Sequence, residues 1–224
     1  MNLETRPAGN VGSGPIASLP RLYPILDSVF FHDPEGLLSA AEELAAAGCT
    51  LLQYRNKSGN ARQMLDQSRE LKRRVGDHVK LIMNDRADLC LAADFDGLHV
   101  GQDDLSPEAA RRIIATHSPG NARWLGVSTH NPEQLAEADK TAADYLAIGP
   151  VFNTSSKMNP DPVVGLEGVR RARELTRKPL VAIGGITRAN ARSVIEAGAD
   201  SVAVISDLIR EPRKSAEEFL RILG

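Results

Sequence analysis

The sequence predicts an α/β protein, a single-domain (β/α)8 TIM barrel over residues 21–224 behind a flexible arm at residues 1–20. Three observations predict it. Eight short β-prone runs alternate with amphipathic stretches, an order that demands parallel strands covered by helices, and eight such units in about two hundred residues suit a compact barrel. One helix-opening device recurs: Asp33-Pro34-Glu35, Ser106-Pro107-Glu108 and Asn131-Pro132-Glu133 each place a capping residue, a first-turn proline and an acid in a row. One helix-to-strand phrase also recurs, in which small residues and a polar or glycine stop run into an apolar strand: AAAGCTLLQ from Ala45, AADFDGLHV from Ala92, TAADYLAIG from Thr141 and AGADSVAVIS from Ala197.

Taken in order, the strands are read at LYPILD from Leu22, TLLQYR from Thr50, KLIMND from Lys80, GLHVG from Gly97, WLGVST from Trp124, YLAIGP from Tyr145, LVAIGG from Leu180 and SVAVIS from Ser201. Helices fill the gaps, and the third, at Ala87 to Ala92, has to be short. A doubly wound open sheet is the competing architecture; no GxGxxG follows the first strand, which removes its usual dinucleotide signature.

Composition narrows the function. With 224 residues, 42% hydrophobic and 25% charged, the chain has the profile of a soluble globular domain with one large core. A net charge of -2 and a pI near 6.2 give no basic face for nucleic acid or an anionic bilayer, so any bound anion must be met by local groups. Apolar stretches such as LVAIGGI from Leu180 fall well below the roughly 18 residues of a membrane span. Residues 1–20 lack an apolar signal core, and Cys49 and Cys90 match no disulfide or metal spacing and sit in apolar contexts as buried free thiols. A cytoplasmic protein is expected.

In such a barrel the chemistry sits where the strands end. The second strand ends QYRNK, which puts Gln53, Arg55 and Lys57 on one face. The third ends Asn84-Asp85-Arg86, the fourth Gly101-Gln102-Asp103-Asp104, the fifth Ser128-Thr129-His130. The sixth runs into the loop GPVFNTSSKMNPDPVVG, the seventh ends Gly184-Gly185 and the eighth Ile205-Ser206-Asp207. Each ending alone is ordinary turn chemistry. Together they ring one mouth with cations, amides, carboxylates and hydroxyls.

Three roles separate. Gly184-Gly185 before a helix, with the end of strand eight, suits a phosphate, because glycine allows close backbone approach and a helix terminus supplies positive potential. Arg55, Lys57 and Lys157 form a cationic cluster for a more highly charged phosphate group, with surface ion pairing as the bland alternative. Asp85 and Asp104, with Asp103 competing, end neighbouring strands and suit Mg²⁺ beside phosphate oxygens; capping of the helix at Ser106 is the alternative for Asp103 or Asp104. His99 reads as a hydrogen-bonded structural residue, Trp124 as packing, and His32, His78 and His117 as loop or helix-end residues. No Ser/His/Asp arrangement or reactive cysteine appears.

The motifs QYRNK, MNDRADLC, DGLHVGQDD, GVSTH, AIGPVFNTSSK, IGGI and GADSVAVIS, in this order from Leu22 onward, resemble the thiamine-phosphate synthase family. The resemblance implies a (β/α)8 barrel that couples 4-amino-2-methyl-5-hydroxymethylpyrimidine diphosphate to 4-methyl-5-(2-phosphoethyl)thiazole with Mg²⁺, giving thiamine monophosphate and pyrophosphate. It implies that Gln53, Arg55, Lys57, Asn84 and Lys157 meet the pyrimidine diphosphate, with Arg55 and Lys157 catalytic, and that Asp85 and Asp104 bind the metal. Ser128 would sit by the pyrimidine and Thr154 and Ser156 by the thiazole phosphate, whose phosphate would rest on Gly185, Ile205 and Ser206. The family commonly has threonine where Ser156 stands. The partners implied are these small molecules, with homo-oligomerisation open. Two rivals keep the phosphate end: a thiazole tautomerase of the same superfamily, and a non-catalytic phosphate-metabolite sensor.

Overall fold

The computed structural model describes residues 18–115, 123–154 and 161–224. Eight parallel strands close in sequential order into a barrel: β1 (Leu22–Asp27), β2 (Leu51–Arg55), β3 (Lys80–Asn84), β4 (Gly97–Val100), β5 (Trp124–Thr129), β6 (Tyr145–Ile148), β7 (Leu180–Ile183) and β8 (Ser201–Val204). Between and after them run α1 (Pro34–Ala46), α2 (Ala61–Val75), α3 (Ala87–Ala92), α4 (Pro107–Ala115), α5 (Pro132–Asp139), α6 (Gly165–Leu175), α7 (Ala191–Glu196) and α8 (Pro212–Leu223). The open-sheet alternative is excluded because β1 pairs with both β2 and β8.

The three helix-opening devices act as caps. Asp33 Oδ1 accepts from Gly36 N at 2.8 Å, Ser106 Oγ from Ala109 N at 3.2 Å and Asn131 Oδ1 from Gln134 N at 2.8 Å, satisfying donors that the first helical turn leaves free. The short α3 spans Ala87–Ala92, as its sequence predicts.

Alternation along the strands makes two cores. Leu52, Tyr54, Leu81, Met83, Leu98, Leu125, Leu146 and Val202 face outward into one continuous apolar layer with the helices. Tyr23, Ile25, Leu51, Ile82, Tyr145, Ala147, Val181 and Ala203 face inward, with Leu19 buried among them just ahead of β1, and fill the barrel so that it is a packed plug rather than a pore. Trp124 packs against this inner plug, as expected. Cys49 and Cys90 are buried free thiols, each pushed up to about 12 by burial. Among the described residues, no helix is long and apolar enough to cross a membrane.

Candidate active site

Above the plug, at the C-terminal ends of the strands, lies a cavity of about 530 Å³. Gln53 and Arg55 point into it while Tyr54, between them, is buried outward and donates to Gln67 Oε1 of α2 at 2.7 Å. Strand register sets Asp27 of β1 directly beside Arg55, and the fully buried Asp27 carboxylate accepts from the Arg55 guanidinium. Asn56 then ends the strand: its Oδ1 accepts from Ser58 N at 3.0 Å and Gly59 N at 2.7 Å, a local turn that competes with further ladder pairing. Lys57 therefore lies beyond β2, at the rim, where its ammonium pairs with Asp85.

Asp85 follows β3 with φ 61°, in the left-handed region, a conformation Asp tolerates better than most side chains and one that recurs at functional sites. Its N–H donates to His99 O at 2.8 Å, which ties the turn to β4. The Asp85 carboxyl faces that of Asp104, whose Oδ2 accepts from Gly101 N at 2.9 Å. Burial, and after it the neighbouring Asp104, hold Asp85 above the usual carboxylate range against the opposing pull of Lys57. Burial pushes Asp104 upward too, but the bond from Asp85, the Gly101 N–H and Lys57 outweigh it and hold Asp104 below that range. The two carboxyls are thus pushed in opposite directions, with Asp104 the more readily ionised. Asn84 and Asp103 line the same cavity. Among the described residues, no cluster of three or more His, Cys, Asp or Glu side chains offers a self-contained metal site. These hard oxygens fit a cation that completes its shell from phosphate and water.

The floor of the cavity is a hydrogen-bonded chain. Gln53 Nε2 donates to Tyr23 OH at 2.9 Å, Tyr23 OH lies 3.0 Å from Tyr145 OH, Tyr145 OH lies 3.1 Å from His99 Nδ1, and His99 Nε2 lies 2.8 Å from Ser128 Oγ. His99 is structural as expected, but it also forms part of the cavity wall. Burial lowers its pKa to about 4, so the ring is neutral near pH 7.

On the far side, Thr154, Gly184, Gly185, Ile205 and Ser206 line the cavity. The glycine pair differs from its sequence reading. Both residues have positive φ, 100° and 64°, and a Cβ would come within 2.6 Å of Pro150 Cα at Gly184 and 2.5 Å of Asn153 O at Gly185. Glycine is therefore required first by the backbone after β6, which lies against this turn. The next helix, α7, starts only at Ala191, so the pair does not abut a helix N-terminus. Asn190 closes the intervening turn, donating to Gly185 O at 3.0 Å and accepting from Thr187 N at 2.8 Å. Ser206 opens the short 3-10 turn Ser206–Leu208. Ser156 and Lys157 lie outside the described residues.

The other residues given a role in the site border one cavity. Three further strand-end residues do not: Arg86 pairs with Asp88, Thr129 donates to Ala147 O, and Asp207 pairs with Arg188. Sequence reasoning missed Asp27, Tyr23 and Tyr145. Asp27 does end a strand, LYPILD, and the strand-end rule reaches it; the tyrosines read as ordinary core because an apolar run does not say which of its faces looks into a barrel.

Fold and site together define a (β/α)8 enzyme whose mouth gathers cations and facing carboxylates at the strand ends. Comparison with known proteins identifies the family. The profile of the family described as thiamine monophosphate synthase matches residues 22–208, and the chain belongs to that family. A thiamine-phosphate synthase of Koribacter versatilis is 61% identical over 208 residues, covering 92% of this chain and 96% of that protein. One of Chloroflexus aurantiacus is 46% identical over 171 residues, 75% and 76% of the two chains. The solved thiamine phosphate pyrophosphorylase of Pyrococcus furiosus superposes with a TM-score of 0.80 at 33% identity, over 91% of this chain and 95% of the other.

Proposed function

We propose that the protein couples 4-amino-2-methyl-5-hydroxymethylpyrimidine diphosphate to 4-methyl-5-(2-phosphoethyl)thiazole, releasing pyrophosphate and forming thiamine monophosphate. The observation that carries the reading is the meeting, at one cavity, of the Arg55 and Lys57 cations with the facing Asp85 and Asp104 carboxylates, in a chain so similar to thiamine-phosphate synthases.

The reaction breaks the bond between the pyrimidine methylene carbon and the diphosphate oxygen, the electron pair leaving with diphosphate, and forms a bond from the thiazole nitrogen to that carbon. No proton has to move, so the coupling calls on neither His99 nor His130 of the cavity as a general base. Arg55, held by Asp27, and Lys57, held by Asp85, present positive charge to the leaving oxygens before they depart, so little reorganisation accompanies bond breaking. Lys157 joins them from the loop after β6, and Asn84 contacts the same group. Asp85 and Asp104 hold Mg²⁺, which when bound neutralises part of the diphosphate charge. Ser128 and Gln53 seat the aminopyrimidine. Thr154 and Ser156 contact the thiazole phosphate, and Gly185, Ile205 and Ser206 hold its phosphate, a reading supported by Thr154, Gly185, Ile205 and Ser206 lining the cavity that Arg55 and Lys57 also line. A cytoplasmic setting belongs to the same reading, supported by two free buried thiols and the ordinary charged composition.

The test supplies both substrates with Mg²⁺ and follows pyrophosphate and thiamine monophosphate together. Equal release of both, abolished by chelation, is expected. Binding of the thiazole phosphate without pyrophosphate release would sink the reading and favour the tautomerase or the sensor.

A further inference from the structure

Strands β4, β5 and β6 bring His99, Gly126 and Tyr145 to one level of the barrel interior, with Gly126 in the middle. A Cβ on Gly126 would stand 2.1 Å from Tyr145 Cζ and 2.4 Å from His99 Nδ1. The missing side chain is what lets His99 and Tyr145 meet across the intervening strand. Their bond joins two separate pairs, Gln53 with Tyr23 and His99 with Ser128, into one buried chain whose two ends both reach the substrate cavity.

Proton counting gives such a chain a direction. Tyr23 and Tyr145 are both fully buried, each with a single hydroxyl proton. Gln53 Nε2 donates to Tyr23, so the Tyr23 proton goes to Tyr145 and the Tyr145 proton goes to His99 Nδ1. The neutral ring then carries its proton on Nε2 and donates to Ser128 Oγ, leaving the Ser128 proton for the cavity. If His99 donated to Tyr145 instead, Tyr23 would accept twice and bury an unused proton, at a cost of about 1–3 kcal/mol.

We propose that Tyr23, Tyr145 and His99 are positioning residues that lock this one polarity, so that Gln53 offers its carbonyl and Ser128 its hydroxyl proton to the substrate as a coupled pair. An acceptor at one end of the chain and a donor at the other, both lining one cavity, match an aminopyrimidine, whose amine donates and whose ring nitrogen accepts. It mismatches a 4-oxo pyrimidine, where those roles are reversed. The buried chain thereby sets the preference for the amino form. The inference rests on the coupling reaction proposed above for the identity of the ring, while the polarity itself does not.

Two measurements test it. In ¹⁵N-histidine NMR of the ligand-free protein near pH 7, His99 should show a protonated Nε2 and a bare Nδ1, its signals assigned by their loss in His99→Gln. Tyr145→Phe should mix the two tautomers. In kinetics, Tyr145→Phe and Tyr23→Phe should each raise KM for the pyrimidine diphosphate by about tenfold, the scale of one lost hydrogen bond, and narrow the amino-over-oxo preference, with KM for the thiazole phosphate unchanged. A wild-type His99 protonated on Nδ1 overturns the proposal. So does a folded Tyr145→Phe with wild-type KM and preference, or one in which both KM values worsen alike, the mark of mere packing. If Tyr145→Phe does not fold, the wild-type spectrum and Tyr23→Phe still decide. A wild-type enzyme that makes no pyrophosphate would refute the coupling reaction, and the spectrum would judge the chain separately.

Discussion

The two ends of the barrel use aspartate in opposite ways. At the N-terminal floor, Asp96, Asp144 and Asp200 each stand just before an even-numbered strand and accept a backbone N–H from the start of the preceding one: Leu81 N at 3.0 Å, Leu125 N at 2.7 Å and Leu180 N at 2.8 Å. Each is also paired with a cation: Lys80, Arg111 and Arg173 respectively. At the mouth, Asp85 and Asp104 face one another beside the Lys57 ammonium, and burial, with the like charge after it, holds Asp85 above its ordinary range against the pull of Lys57. A carboxylate saturated by backbone donors and its own cation stabilises a closure; two that face each other and share one exposed cation can accept more positive charge. That is why these strand-start acids are structural, while Asp85 and Asp104 belong to the cavity.

The contrast can be broken most forcefully at the mouth. Asp85→Ala, Asp104→Ala and Lys157→Ala are each expected to lower kcat/KM by roughly a hundredfold or more while leaving the melting temperature close to wild type. Near-normal turnover in any of them removes that residue from its role. Arg55 crosses the divide, because it serves the cavity and neutralises a buried acid. Arg55→Ala should lose activity and also about 3–5 kcal/mol of stability, since Asp27 is left buried and unpaired; adding Asp27→Asn should restore stability but not turnover. Denaturant unfolding beside steady-state kinetics reads both.

His99 sharpens the comparison through pH. Its folded pKa, about 4, lies below its ordinary 6.5, so between those values the unfolded chain binds more protons and stability falls as pH drops through the interval. Up to about 3 kcal/mol is lost by pH 4, and unfolding midpoints of His99→Gln should vary less over this window than those of wild type. Equal slopes would show that His99 does not remain neutral. The smallest effect belongs to the floor: Asp144→Asn should cost about 1–3 kcal/mol of stability and leave KM for both substrates unchanged. A change in KM there would mean the two ends are not independent.

Much of this was legible beforehand. The caps at Asp33, Ser106 and Asn131, the short α3 and the inward face of QYRNK all follow from local rules, because capping and strand alternation depend on neighbours within a few residues. The return phrases AADFDG, TAADYL and AGADSV even carry the floor acids Asp96, Asp144 and Asp200, though only as punctuation. Their work could not be read, since the N–H each one accepts belongs to a strand 15 to 20 residues earlier.

The amino-acid order alone determined the alternation of strands and helices, the count of units and the kinds of chemistry available at the strand ends. Closure of the barrel decided the rest. It set Asp27 against Arg55 through the β1–β2 register, let His99 reach Tyr145 through the gap at Gly126, and gave Gly184 and Gly185 a second reason in the chain packed after β6. Those contacts join side chains far apart in sequence, and which distant pairs meet depends on stagger around a closed sheet, a property of the whole ring that no local stretch contains.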